Sequence, residues 1–263
     1  MNNLNWQKQT LDSPLFEDII WEKPENKLLS GKYLIVGGNS HEITSTAQIY
    51  ENLTKVGSSN ILVAIPNTLK KLVDHMDLKI SYLPSNPSGS IGLKATAELL
   101  DLANQVDITI IAQDLGKNSE TVLTLEHFLA KNTGLLCFTS ENIIILEDLD
   151  ISLNEKILLV TSFSNLQKLL SKKYGIIIKK LDELYVILNT LKEFNIKHPV
   201  NIVCVHEDII IVVSEGRVST TKIPNDKTVS IELLSASASF YMVNYPTKTY
   251  QAISSAVYEA LKN

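Results

Sequence analysis

Short, continuously apolar runs alternate with amphipathic stretches along most of this chain. Several of the runs lack the apolar–polar alternation of a half-exposed strand, which is typical of parallel strands covered by helices on both faces. Strand followed by helix, repeated, predicts an α/β fold of three layers, with a mostly parallel sheet between two layers of helices. The predicted strands are 33–36, 60–65, 80–83, 107–111, 135–138, 157–161 and 200–205.

The amphipathic stretches predict the helices of the two outer layers. In the first of them, apolar Ile49, Leu53 and Val56 recur at helical spacing. That first predicted helix is 43–56. The others are 93–103, 119–131, 166–172, 181–194, 229–243 and 250–261.

The pattern changes after Pro199, where "VNIVCVHEDIIIVVSEGRVSTTKI" reads as three short strands joined by two turns. This predicts an antiparallel C-terminal edge on the parallel sheet. We interpret 31–263 as one α/β domain preceded by an extension, 1–30. The extension carries both tryptophans, Trp6 and Trp21, and we expect it to pack on its own domain or on a neighbouring subunit.

Composition narrows the class of partner. The chain has 263 residues, a formal net charge of −5 and no run or cluster of Lys and Arg, so nucleic acid is not an expected partner. No apolar run reaches the length of a membrane span, and the N-terminus lacks the pattern of a signal peptide. Both cysteines, Cys137 and Cys204, lie within apolar runs as buried thiols do in a reducing compartment. We expect a cytoplasmic protein.

One stretch, "GKYLIVGGNSHEITSTAQIYENLTKVGSSNILVAIP" at 31–66, raises the question of a ligand loop. Together with the order of elements, it resembles the ribokinase-like family of NAD(P)H-hydrate dehydratases, which repair hydrated nicotinamide cofactors. Gly38-Asn39 stands where that family has Gly-Ser, and Thr44-Ser45 stands where it has Gly-Ala. The resemblance covers about residues 27–262 and implies a ribokinase-like fold.

Most of the family's functional positions carry other residues here. Ala112-Gln113-Asp114 replaces Gly-Pro-Gly, and only the following Leu115-Gly116 is kept. Thr139 replaces an aspartate, Thr161 is retained, and Val205-His206 replaces Lys-Gly. The resemblance therefore implies that ligand contacts, if retained, involve Gly116, Thr139, Thr161 and His206.

The largest departure lies near the C-terminus, where the family has Gly-Thr-Gly-Asp at the start of a helix. The corresponding "NDKTVSIELLSASASF" contains no glycine, and the nearest acids are Asp226 and Glu232. Glycine lets the backbone approach a phosphate closely, and loss of a positioned general base costs about 10²–10⁴ in rate. We therefore expect a catalytically degenerate relative. ATP or ADP with Mg²⁺ is implied only if the site is active, with Asp226 as base and Lys227 on the phosphate.

Two motifs leave alternatives open. Gly37-Gly38 suits either a phosphate loop or a tight strand-to-helix corner; we favour the corner, with Ser40 or Thr44 as the helix N-cap. In the other interpretation, Gly38, Asn39, Ser40 and Thr44 form a polar pocket floor at a strand end. The dipeptides His41-Glu42 and His206-Glu207 suit a metal or acid–base site or two solvated turns, and no metal is expected.

Three functional hypotheses follow. The first is a non-catalytic protein that binds a small molecule or a partner through a remodelled cleft. The second is a diverged, nucleotide-dependent NAD(P)H-hydrate dehydratase or a related small-molecule kinase. The third is a structural subunit that pairs with an active paralogue. The resemblance also implies a homo-oligomer.

Overall fold

A computed structural model describes residues 6–73, 78–116, 118–147, 149–180 and 182–262. The strands are β1 Trp6–Gln9, β2 Tyr33–Val36, β3 Ile61–Pro66, β4 Ile80–Leu83, β5 Ile108–Ile111, β6 Leu135–Thr139, β7 Ile157–Ser162, β8 Asn201–His206, β9 Ile209–Ser214 and β10 Arg217–Lys222. They form one ten-stranded sheet at the centre of the structure, in the order β1-β10-β9-β8-β7-β6-β5-β2-β3-β4.

The sheet is parallel from β4 to β8, and β8, β9 and β10 are joined as antiparallel hairpins. The mostly parallel α/β sheet and its antiparallel C-terminal section are thereby confirmed. One further strand lies beyond that section, because β1 pairs in parallel with β10 and forms the outer edge.

Helices cover both faces of the sheet. On one face lie α1 Glu17–Trp21, α2 Thr44–Val56, α3 Lys70–Val73, α8 Ile231–Asn244 and α9 Thr249–Lys262; on the other lie α4 Thr96–Ala103, α5 Ser119–Leu129, α6 Phe163–Tyr174 and α7 Leu184–Lys197. The predicted helix 166–172 begins three residues earlier, because Ser162 caps it by accepting a hydrogen bond from the backbone of Asn165. The predicted start of the next helix, residue 181, lies outside the described residues.

Strand β2 shows why the apolar runs are continuous. Leu34 and Val36 belong to the core on the α4–α7 face, whereas Tyr33 and Ile35 belong to the core on the α2, α8 and α9 face. All four side chains are fully buried. A strand covered on both faces cannot alternate with polar residues.

Helix α8 is buried almost along its whole length between the sheet and the helices α2 and α9. Its Ser-Ala-Ser-Ala-Ser sequence keeps the side chains small where α8 packs on β5, β6 and β7. Ser235 and Ser239 face Cys137 of β6, and burial raises the pKa of that thiol to about 12. The helix is therefore part of the core and not an amphipathic surface element.

The N-terminal residues are joined to the rest of the structure by hydrogen bonds. The indole N–H of Trp6 donates to the hydroxyl of Thr220 at 2.8 Å, and the carboxamide of Gln9 donates to the Ser254 carbonyl at 2.9 Å. The residues after β1 continue along α9, where Ile19 is fully buried but Trp21 is 85% exposed. Within the described ranges, every helix is too short or too polar to span a lipid bilayer.

Candidate functional site

The strand order brings the sequence-predicted residues to one edge of the sheet. The carboxyl ends of β8, β7, β6, β5 and β2 lie side by side. These ends carry His206, Thr161, Thr139, Gly116 and Gly38. Between β5 and β2 the chain changes direction across the sheet, since β3 and β4 lie on one side of β2 and β5 lies on the other. Ligands of open α/β sheets bind at such a switch point.

At this switch point the corner after β2 holds the carboxylate of Asp114. Asp114 Oδ1 accepts hydrogen bonds from Gly38 N (2.9 Å) and Thr46 Oγ1 (2.7 Å), and Oδ2 accepts one from Thr46 N (2.8 Å). The side chain is only 2% exposed. Free N–H groups and the helix dipole make the start of a helix an anion-binding position. In this protein, a carboxylate of the chain itself takes that position.

Gly37 is explained by the same carboxylate. A Cβ atom there would lie 2.2 Å from Thr46 Oγ1 and 2.5 Å from Asp114 Oδ1. The absence of a side chain is therefore required for the contacts among β2, α2 and Asp114. This geometry favours the corner over the phosphate loop.

The predicted N-caps of α2 are wrong. The N-cap position is Ile43, which makes no side-chain cap bond, and Thr44 is an exposed first residue of the helix. Ser40 instead donates its backbone N–H to the Gly89 carbonyl at 3.0 Å and its hydroxyl to the Ser88 carbonyl at 3.1 Å. The hydrogen bond that an N-cap side chain would accept from the first turn of α2 is accepted instead by Asp114, whose Oδ2 binds Thr46 N from 68 positions away in the chain.

The segment 84–92, "PSNPSGSIG", covers the switch point. Asn86 is buried, and its carboxamide oxygen accepts hydrogen bonds from Ser88 and Ser90 while its nitrogen donates to Asn118 at 2.8 Å. A Cβ on Gly116 would lie 2.5 Å from the Ser90 hydroxyl. The loops after β2, β4 and β5 are therefore in contact with one another. The close approach of Ser90 explains why residue 116 is a glycine.

Thr139 and Thr161 tie neighbouring strand ends together. Thr139 Oγ1 donates to the Ile111 carbonyl and Thr161 Oγ1 donates to the Ser140 carbonyl, both at 2.9 Å. Both threonines are buried. Their hydroxyl hydrogens are thus already used inside the protein.

His206 packs against an aromatic ring. Its ring centroid lies 4.3 Å from that of Phe163, and burial lowers the pKa of the imidazole. Glu207, at φ 53° in the turn, lies 3.6 Å from the ammonium of Lys180. His41 lies in the turn that follows β2, and β2 is four strands from β8, or about 19 Å across the sheet at a spacing of ~4.8 Å per strand. The two His-Glu pairs therefore do not form one site, and no metal-binding group of three His, Cys, Asp or Glu exists among the described residues.

The start of α8 differs from a phosphate-binding helix start. Its N-cap, Ser230, accepts a hydrogen bond from Leu233 N at 3.1 Å. Asp226 is exposed in the preceding turn, and Lys227 donates its ammonium to the carbonyls of Leu261 and Lys262 at the end of α9. The ammonium of Lys227 is thus held by the α9 carbonyls.

A second acid near α8 is placed differently. Glu232, in the first turn, is 7% exposed, and its Oε1 accepts a hydrogen bond from Ser45 Oγ at 3.1 Å. Ser45 belongs to the first turn of α2. The structure thus brings a buried carboxylate between the starts of two helices.

Sequence reasoning missed two residues that organise this edge, Asp114 and Asn86. Asp114 is the third residue after β5, in the mostly polar stretch "AQDLGKNSE" at 112–120, so no local signal marks this acid as buried. Asn86 stands before a proline in a segment rich in Ser and Gly, which signals a turn but not what the turn covers.

No protein-family model matches the sequence, and no curated protein matches it. Solved structures do resemble the fold. A ribokinase-like superfamily protein from Enterococcus faecalis superimposes with a TM-score of 0.75 at 16% identity, over 100% of this chain and 88% of that chain. The ADP/ATP-dependent NAD(P)H-hydrate dehydratase from Bacillus subtilis, co-crystallized with ATP/Mg²⁺, gives a TM-score of 0.65 at 12% identity, over 95% and 87% of the two chains.

A phosphomethylpyrimidine kinase from Clostridium difficile gives a TM-score of 0.52 at 12% identity, over 87% of this chain and 99% of that chain. These identities are too low to carry a function from one protein to another. These superpositions show that this chain has the ribokinase-like fold, the fold of the NAD(P)H-hydrate dehydratase structures.

Proposed function

We propose that this protein is a catalytically degenerate, ribokinase-fold relative of the NAD(P)H-hydrate dehydratases and acts by binding a ligand or partner. The observation that carries the proposal is the start of α8. The segment 225–232 has no glycine, Ser230 caps the helix, and Lys227 is held by the end of α9. Phosphoryl transfer depends on positioning and on neutralising oxygen charge, and this segment offers neither a flexible backbone nor a free ammonium.

The switch point supports the same proposal. Asp114 supplies a negative charge where an anionic ligand would otherwise meet the first N–H groups of α2. A phosphate placed there would face a buried carboxylate, and like charges at such distances repel strongly in a medium of low dielectric constant.

The alternative is an active, diverged NAD(P)H-hydrate dehydratase or related small-molecule kinase. One observation favours it, the buried carboxylate of Glu232 on the hydroxyl of Ser45. A general base must lie within hydrogen-bond reach of the group that loses its proton, and buried carboxylates often serve this role. Glu232 is better placed for it than exposed Asp226.

The deciding experiment is an assay of the purified protein with hydrated NADH and either ADP or ATP with Mg²⁺. The proposal expects turnover at least about 10⁴-fold below that of an active dehydratase assayed in parallel, because both the base and the anion-stabilising donors are replaced. Turnover within about tenfold of that enzyme would overturn it.

Two matched variants identify which carboxylate, if either, is responsible for any residual turnover. Glu232→Gln should abolish any genuine activity of the alternative, whereas Asp226→Asn should leave it unchanged. Thermal denaturation with millimolar ADP or ATP and Mg²⁺ completes the test, since a ligand of the native state raises its melting temperature. The proposal expects no shift with either nucleotide.

A further inference from the structure

A groove between α2 and α9 lies over α8, within the helical layer that covers this face of the sheet. Its volume is about 520 Å³, within the range of ~300–1,000 Å³ that is usual for small-molecule sites. The polar residues that line it are Lys23, Asn52, Lys55, Ser237 and Glu259. We call it the α2–α9 groove.

The groove contains charges of both signs. Lys23 Nζ lies 2.7 Å from Glu259 Oε2, and these side chains are only 26% and 18% exposed. Lys55 lies on the α2 side and pairs with Glu51, also at 2.7 Å, where both side chains are well exposed. The lining itself contains Lys23, Lys55 and Glu259, and Glu51 at the rim balances Lys55, so the groove and its rim together carry no net charge. Such a site matches a ligand that is neutral overall and carries both charges.

Ser237 adds an observation that is independent of the charges. It is 1% exposed, lines the groove, and its hydroxyl has no hydrogen-bond partner among the described residues. A buried hydroxyl without a partner costs free energy, so such groups usually meet a water molecule or a ligand. Asn52 of α2 supplies a further donor and acceptor to the lining.

Apolar side chains complete the lining. Val56 and Leu233 both border the groove. They provide a surface for an aliphatic group, whereas no aromatic residue lines the groove as a platform for a base or ring.

From this combination we propose that the α2–α9 groove binds a small zwitterion, an aliphatic α-amino acid. The ligand's ammonium is recognised by Glu259 and Ser237, its carboxylate by Lys55 and Asn52, and its side chain by Val56 and Leu233. Asp114, Lys227 and Ser230, on which the proposed function rests, do not line the groove, so this inference does not depend on that function.

The test uses L-leucine as probe, with two molecules that each lack one charge. 4-Methylpentanoate lacks the ammonium, and 3-methylbutylamine lacks the carboxylate. We expect about 20 mM L-leucine to raise the melting temperature of the full-length protein by about 2 °C, and each half-probe by less than about 0.5 °C. Isothermal titration at the same concentrations should give saturable heat for L-leucine alone.

Variants separate binding from a general solute effect. Lys55→Gln and Ser237→Ala should both lose the shift, whereas Lys94→Gln should retain it, because Lys94 is an exposed lysine on the opposite face of the sheet. Lys55 is exposed, so its substitution leaves the fold intact. The proposal is overturned if the wild-type protein shows no shift, if a half-probe stabilises as well as L-leucine, or if Lys55→Gln is stabilised to the same extent.

Discussion

Asp114 and Thr46 are joined by two hydrogen bonds, from the backbone N–H of Thr46 to Oδ2 at 2.8 Å and from its hydroxyl to Oδ1 at 2.7 Å. The two residues are 68 positions apart in the chain. Their contact connects the end of β5 to the start of α2, across the point where the sheet changes direction. A carboxylate that binds the start of a helix in this way stabilises the helix and excludes other anions.

The first prediction concerns this contact. Asp114→Ala should lower the free energy of unfolding by about 3 kcal/mol, because it removes three hydrogen bonds to a charged acceptor and leaves buried donors unpaired. Asp114→Asn should cost less, since a carboxamide oxygen still accepts. Urea denaturation measures both, and Asp101→Ala, at an exposed position of α4, is the matched control. A loss below about 0.5 kcal/mol for Asp114→Ala would contradict this account.

The second prediction concerns the corner glycine. Gly37→Ala should destabilise by about 3 kcal/mol, because its Cβ would lie 2.2 Å from Thr46 Oγ1 and 2.5 Å from Asp114 Oδ1. Gly134→Ala is the control, since its Cβ would meet the Asn132 side chain at an ordinary 3.6 Å. Equal melting temperatures for the two variants would show that a Cβ atom at position 37 can be accommodated beside Thr46 and Asp114.

The strands and helices could be predicted because burial dictates their patterns. The segments 33–36 and 80–83 were bounded correctly, and 135–138 ended one residue short at Thr139. Parallel strands are covered on both faces, so a short, continuously apolar run in the sequence predicts such a strand. The hairpins after Pro199 carry their own turn residues, which made the antiparallel section predictable.

The candidate site was less predictable, because its contacts join distant parts of the chain. Asp114 acts on a residue 76 positions away, Gly38, and Asn86 acts on one 32 positions away, Asn118. Local reasoning therefore assigned the α2 N-cap to Ser40 or Thr44, although a side chain from another loop takes that role. Periodicity records which face of an element is buried but not which loop meets it.

The cysteines give a third prediction. Cys137 and Cys204 are fully buried, and burial raises the pKa of both thiols, that of Cys137 to about 12. The thiolate is the reactive form, so neither residue should react with a disulfide reagent such as DTNB at pH 8 in the native protein. In guanidinium chloride, two thiols per chain should react at once. Fast labelling of a native thiol would indicate that a helical layer opens from the sheet, the α8 layer over Cys137 or the α4–α7 layer over Cys204.

The N-terminal strand gives a fourth prediction. Gln9 is 2% exposed and bonds Thr221 and Ser254 through its nitrogen and the backbone of Leu15 through its oxygen. Gln9→Ala should therefore lower the free energy of unfolding by about 2 kcal/mol and speed proteolysis before residue 15. Gln48→Ala, at an exposed position of α2, should change neither quantity. If the two variants behave alike, β1 is not held by these bonds.

The fifth prediction concerns acid stability. Burial is the main cause that lowers the pKa of His206 below the usual 6.5, and nearby Lys180 acts in the same direction, while Glu207 and Asp208 oppose it. The unfolded chain therefore takes up a proton on this residue at a higher pH than the folded protein does. Its contribution to stability is complete above about pH 6.5 and is lost as the pH falls below that value.

His206→Gln cannot take up this proton. Between pH 7 and about 5.5, its free energy of unfolding should fall less steeply than that of the wild-type protein in urea titrations, while the exposed-site variant His41→Gln should follow the wild type. His198 has a pKa lowered by burial as well, so some decline should persist in His206→Gln. A decline identical to that of the wild type would mean that His206 is protonated as easily in the folded protein as in the unfolded chain, and that its packing on Phe163 does not exclude water.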